Sequence, residues 1–222
     1  MKNPLLLAVF CLGIFLFIAF YFVSKALYKV RHSETYSFRH MFPYELNYPS
    51  VFKENLWGNL LFIFASFSVA VFYILNPYIS IYRIIAIVIS IIFTMILICL
   101  LLMPLYYLRT HLFLSVVSMT LALALPLFNL FLALGQYKIE TEDVKRILCI
   151  VSMVVSGILA LTMLALIMNP RLTFKIYLDK NVDSSGNEVL KRPKIIYLAL
   201  TEWMAIFVYF LSPLSVLLIS LI

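Results

Sequence analysis

Long apolar runs broken by short polar stretches set the pattern of this chain. Six runs, residues 4–23, 57–75, 84–108, 112–134, 147–168 and 195–222, reach the roughly 20 residues that a helix rising about 1.5 Å per residue needs to cross a hydrocarbon core about 30 Å thick. Only two polar loops of any substance remain, 24–56 and 169–194. The other connections are short, so the second, third, fourth and fifth helices are expected to pack as antiparallel neighbours. The pattern predicts an all-α integral membrane protein, one polytopic domain over 1–222, with a small cap built from the two large loops.

Punctuation along the chain agrees. Asn76-Pro77 and Asn169-Pro170 close the second and fifth runs, because proline lacks an N–H and pushes its predecessor out of the helical region. The two stops also fall at corresponding places in a scheme of three helices plus an inverted three, although no other position repeats. Pro104, Pro126 and Pro213 lie inside runs and predict bends. Ser152, Ser156 and Gly157 give the fifth helix a small-residue face for close helix approach. Ahead of that helix, Thr141 is expected to cap its N-terminus, with Glu140, Glu142 and Asp143 complementing the dipole. The first run is too long for the apolar part of a signal peptide, so it is read as a permanent helix.

Composition narrows the class. With 64% apolar and 12% charged residues and a mean hydropathy of +1.06, the chain departs from the roughly 45 to 50% apolar and 25% charged of soluble domains. A disordered chain and a nucleic-acid reader are excluded as well, since the +7 charge is spread thinly between apolar runs. Lys25, Lys29, Arg31, Arg39 and Lys53 fall in the first large loop, and Arg171, Lys175, Lys180, Lys191, Arg192 and Lys194 in the last. By the positive-inside rule both loops are cytoplasmic and both termini outside, in a plasma membrane. Trp57 and Trp203 would mark headgroup depth on that side. Cys11, Cys99 and Cys149 sit singly within apolar runs, as lipid-facing or packing thiols.

The first loop is too rich in aromatics for a free linker. Phe42, Tyr44 and Glu45 within RHMFPYELNYP are candidates for a surface that meets a partner or the membrane, and Arg192 and Lys194 for one that holds anionic lipid. In the last loop, strand-like stretches flanking the turn-rich 181–187 predict a β-hairpin over about 173–192.

Chemistry-bearing residues are sparse. Glu202 is the only acid inside a run, and Asn129 lies one turn after Pro126; together they are candidates for an ion or proton site. A hydrocarbon boundary at Met204 would instead leave Glu202 at headgroup depth, beside Arg109, Arg192 or Lys194. With three histidines in all, and His32, Glu34 and His40 in no ligand spacing, no metal is expected. Nucleophile, phosphate-loop and dinucleotide motifs are missing, so no cofactor is expected either. The first expectation for function is therefore a non-enzymatic membrane subunit or scaffold, partnered by the bilayer and by other membrane subunits or copies of itself. The alternative is a small solute or ion transporter or channel using Glu202. Less favoured is a lipid-acting enzyme with Glu45, His40 and Glu202 as acid and base groups.

Overall fold

The computed structural model describes residues 4–47, 54–77, 80–102, 108–173, 179–182, 188–191 and 193–220. Six helices in it are long and apolar enough to cross a membrane: α1 (Pro4–His32), α2 (Leu56–Leu75), α3 (Ile81–Leu102), α4 (Leu108–Ile139), α5 (Asp143–Ile167) and α6 (Tyr197–Ser220). The protein is thus a multi-pass helical bundle.

Two helices outrun the apolar stretches that announce them. α1 continues to His32 rather than stopping near 23, and α4 runs from 108 to 139 rather than from 112 to 134. At about 1.5 Å per residue the 29 and 32 residues measure roughly 44 and 48 Å, well beyond a hydrocarbon core. Hydropathy marks where lipid tails begin, whereas lysine, arginine and glutamine continue a helix into water at little cost. Lys29, Arg31 and His32 also suit the negative end of the α1 dipole.

Neighbours in sequence are neighbours in space. α1 packs on α2, α2 on α3, α3 on α4 and α4 on α5, so the first five helices form an arc in chain order. α6 fills the inside of that arc and touches all five of these helices, α3 through Phe93 and Thr94. Its spanning stretch is 72% buried, against 22% for α1. α4 and α6 start at the same end of the bundle and run parallel.

Close approach needs small residues at the α1–α2 seam. A Cβ on Gly13 would stand 3.3 Å from Ser68 Cβ, and one on Gly58 would fall 2.1 Å from Ser24 Oγ and 2.2 Å from Asn55 Oδ1. The Gly58 gap is filled instead by the Asn55 amide donating to Ser24 Oγ at 2.9 Å. The small-residue face of α5 is used the same way: Ser152 and Ser156 are fully buried, and Ser152 donates to Ser215 O of α6 at 2.7 Å.

At the helix ends, Trp57 is 70% exposed, whereas Trp203 is completely buried beneath the first loop. At the start of α5 the expected Thr141 cap is not formed: the N-cap residue is Glu142, without a side-chain cap bond, and Glu140 Oε1 accepts from the Thr141 and Glu142 amides in the preceding turn at 3.1 and 3.2 Å. In the last loop, Asp179–Val182 and Glu188–Lys191 pair antiparallel, with Asp179 opposite Lys191. This pairing packs extensively on none of the helices, so a cap over the bundle gains no support from it. The remaining stretches expected in the hairpin, 174–178 and 183–187, and Arg192 lie outside the described residues, as does Pro104.

Candidate functional site

Many of the polar residues in the membrane segments face α6. Four layers of hydrogen bonds tie it to its surroundings. Nearest the far end is the Ser152–Ser215 bond. Next, Asn129 of α4 donates to Tyr73 Oη of α2 at 2.8 Å and to Ser212 O of α6 at 2.9 Å, joining three helices. One turn along, the Tyr209 hydroxyl bonds Thr94 Oγ1 of α3 and donates to Ser66 O of α2 at 3.0 Å. These layers follow from the solvent: lipid offers no hydrogen bonds, so a hydroxyl in the span turns back to its own helix, as Thr120 and Thr162 do, or to a neighbouring one, as in these layers.

The fourth layer differs in being ionisable. Glu202, in the second turn of α6, is fully buried, and so are His111 and Ser115 from the first two turns of α4, at 1% and 0% exposure. His111 Nε2 and Glu202 Oε1 are 3.1 Å apart, and Ser115 Oγ donates to the same carboxylate oxygen at 2.5 Å. The short contact between the ring and the carboxylate is one through which a single proton can be held, either as imidazole N–H to carboxylate or as carboxyl O–H to a bare ring nitrogen. Among the described residues, Glu202 Oε2 and His111 Nδ1 are buried without a hydrogen-bond partner. Leaving a buried polar atom unpaired is costly, and an ionisable group inside a membrane bundle is by default a functional candidate.

The first loop closes this end. After α1, Ser33 adopts a left-handed φ of 54° and turns the chain back over the bundle. A short 3-10 turn, Pro43–Asn47, then lies against α3, where Asn47 donates to Leu101 O at 2.8 Å. Phe42 and Tyr44 set their rings edge-on to the His111 imidazole, with centroids 5.8 and 5.1 Å away. Trp203, next to Glu202, donates from its indole N–H to Tyr36 Oη at 3.0 Å and to Met41 O at 3.1 Å, and the Tyr36 hydroxyl donates to Phe42 O at 2.7 Å. Burial pushes the Tyr36 phenol well above its usual 10.0, and the Glu45 and Glu202 carboxylates push the same way against the opposing Trp203 bond. Tyr36 therefore stays a hydrogen-bond donor throughout the physiological range.

The candidate residues are placed very differently from one another. Glu202 is fully buried in protein and, among the described residues, pairs with His111. Asn129 belongs to another layer, since its partner Ser212 is ten residues beyond Glu202, about 15 Å along the helix axis. Phe42, Tyr44 and Glu45 are 1%, 4% and 7% exposed, so the surface expected to meet a partner is folded down onto the chain's own helices. Lys194 is exposed and His40 half-buried. Among the described residues no group of three metal-ligating side chains gathers. His111 and Ser115 were not singled out by sequence reasoning. The usable signal was that His111 stands one residue before an apolar run that starts at the same membrane side as the run holding the only intramembrane acid. Compared with known protein families, curated proteins and solved structures, the chain matches none.

Proposed function

We propose that this chain is a small multi-pass membrane transporter or channel in which a proton moves on and off the Glu202–His111 pair. The single observation that carries the reading is the pair itself: a carboxylate and an imidazole with essentially no exposure, 3.1 Å apart inside a bundle that spans the membrane. Removing such groups from water costs several kcal/mol per ion, a penalty that an apolar pair of the same shape would avoid. Two ionisable groups facing each other inside the bundle, with one polar atom of each unpartnered among the described residues, support a proton site.

The scaffold reading, which also drew on the sparsity of polar groups in the spans, is less favoured because the aromatic first loop and the small-residue face of α5 are occupied within the chain. In the proposed arrangement the positive-inside count sets the first loop and the last hairpin toward the cytoplasm of a plasma membrane, with both termini outside. The hairpin and the basic residues Arg192 and Lys194 would then lie over anionic headgroups. Association with copies of itself or with other membrane subunits would use the lipid-facing surfaces of the arc.

Proteoliposomes enclosing a pH-sensitive dye test the proposal. Under an imposed pH gradient and membrane potential, a panel of amino acids, sugars, nucleosides and monovalent cations is added outside. Proton entry driven by at least one solute or by the potential is expected, at least tenfold lower in Glu202→Gln. The same proton movement in Glu202→Gln would remove the proposal.

A further inference from the structure

We propose that residues 33–47 form a hinged lid that gates the Glu202–His111 pair toward the membrane face on its side, an inference that rests on the proton-site reading above and supplies that site's regulation. The hinge is Ser33. A serine held at φ 54° is in a region that side chains adopt reluctantly, and it stands where the rigid α1 ends and the lid begins. Its amide still closes the last turn by donating to Lys29 O at 3.1 Å, so the change of direction is concentrated in one residue.

The latch sits on the same helix as the site. Trp203 follows Glu202 directly, and its indole holds both Tyr36 Oη and Met41 O. Seven residues before Trp203, the Ile196 amide donates to Arg39 O at 2.8 Å. Bundle donors therefore grip the lid largely by its backbone carbonyls, bonds that water can replace when the lid rises. Beneath the latch, Phe42 and Tyr44 cover His111, the group through which a proton would reach Glu202 from this side.

The lid also carries an acid inward. Glu45 is 7% exposed, its Oε1 accepts from the Tyr44 hydroxyl at 3.3 Å, and its charge is felt by Tyr36 together with that of Glu202. A loop serving only as a stopper would bury apolar groups there. The Tyr44 ring lies against the imidazole while its hydroxyl is held by Glu45, and both Glu45 and Glu202 act on Tyr36, so lid closure is sensitive to the charge on the pair, one residue from the Trp203 latch.

Two measurements on the full-length chain, with Cys11, Cys99 and Cys149 replaced by alanine, test the lid. In the first, Ser118→Cys, buried two turns deeper on α4, is labelled in proteoliposomes with a water-soluble maleimide. Tyr36→Phe, which keeps the ring but removes the bond to Phe42 O, is expected to raise the labelling rate at least tenfold; an unchanged rate overturns the lid. In the second, Arg39→Cys with Ile196→Cys joins two backbones already bonded. Oxidation is expected to stop dye-reported proton entry and reduction to restore it, and undiminished entry in the oxidised protein overturns the lid. The labelling does not depend on what Glu202 does. Loss of the proton reading through an active Glu202→Gln is therefore distinguishable from failure of the lid.

Discussion

α1 and α6 are both spanning helices, yet they occupy opposite positions in the bundle. α1 is the more apolar and lies mostly against lipid, 22% buried, with Leu5, Leu12, Phe15, Ile18 and Phe22 exposed. α6 is less apolar and is 72% buried, carrying Thr201, Glu202, Ser212, Ser215 and Ser220 inside. In water the order would be reversed, the more apolar helix going to the core. In a bilayer the tails are as apolar as any leucine, so hydrophobicity no longer selects the centre. Hydrogen-bonding groups do, because only protein can satisfy them there. A second consequence is that the same helix carries both the polar ties of the bundle and the one fully buried ionisable pair among the described residues.

Perturbing the ionisable layer of α6 should have the largest effect. His111→Ala leaves the Glu202 carboxylate buried with Ser115 alone, and loss of one partner from such a pair costs about 3 to 5 kcal/mol. Replacing both groups, as in His111→Leu with Glu202→Leu, removes the charges together and should restore stability to near the parent value without restoring proton movement. Thermal unfolding in detergent separates the two cases. A double variant as unstable as the single one would show that the pair is structural.

The α1–α2 seam should come next. Gly58→Ala forces a methyl group into Ser24 Oγ and Asn55 Oδ1, and overpacking of that kind costs roughly 1 to 3 kcal/mol. Restoring room with Ser24→Gly in the same chain should recover much of the loss in the unfolding curve.

Smaller effects separate the two helices further. Asn129→Leu breaks ties from α4 to Tyr73 and Ser212 O, and polar contacts between membrane helices are worth about 0.6 and at most about 1.7 kcal/mol each. Phe15→Ala, on the lipid face of α1 at 67% exposure, should shift stability by no more than about 0.5 kcal/mol. A larger loss at Phe15 than at Asn129 in the same detergent would invert the comparison and place α1 at a protein contact instead.

Much of this was legible from residues alone. The six spans, the Asn-Pro stops and the antiparallel hairpins follow from run length and proline chemistry, which act locally. The centrality of α6 was not, because it depends on which helix the others turn their polar groups toward. Glu202 was visible as a lone acid in a run, yet its depth was ambiguous by a turn or two. Its partner was hidden for a similar reason: α4 begins four residues before its apolar run, which turns a loop histidine into a helix residue facing α6. The aromatic loop gave the opposite error. Phe42, Tyr44 and Trp203 look like interface residues by composition, and the same amphipathic character serves equally well to seal the chain's own open end.

The central claim is that Glu202 and His111 touch inside the bundle. Nitrogen-15 NMR of ring-labelled histidine in lipid bilayers reads it directly, since only His32, His40 and His111 contribute. One histidine is expected to have an Nε2 resonance displaced by its carboxylate neighbour, to vanish with His111→Asn, and to move in Glu202→Gln while the other two stay in place. Three histidine signals that are all indifferent to Glu202→Gln would contradict the account.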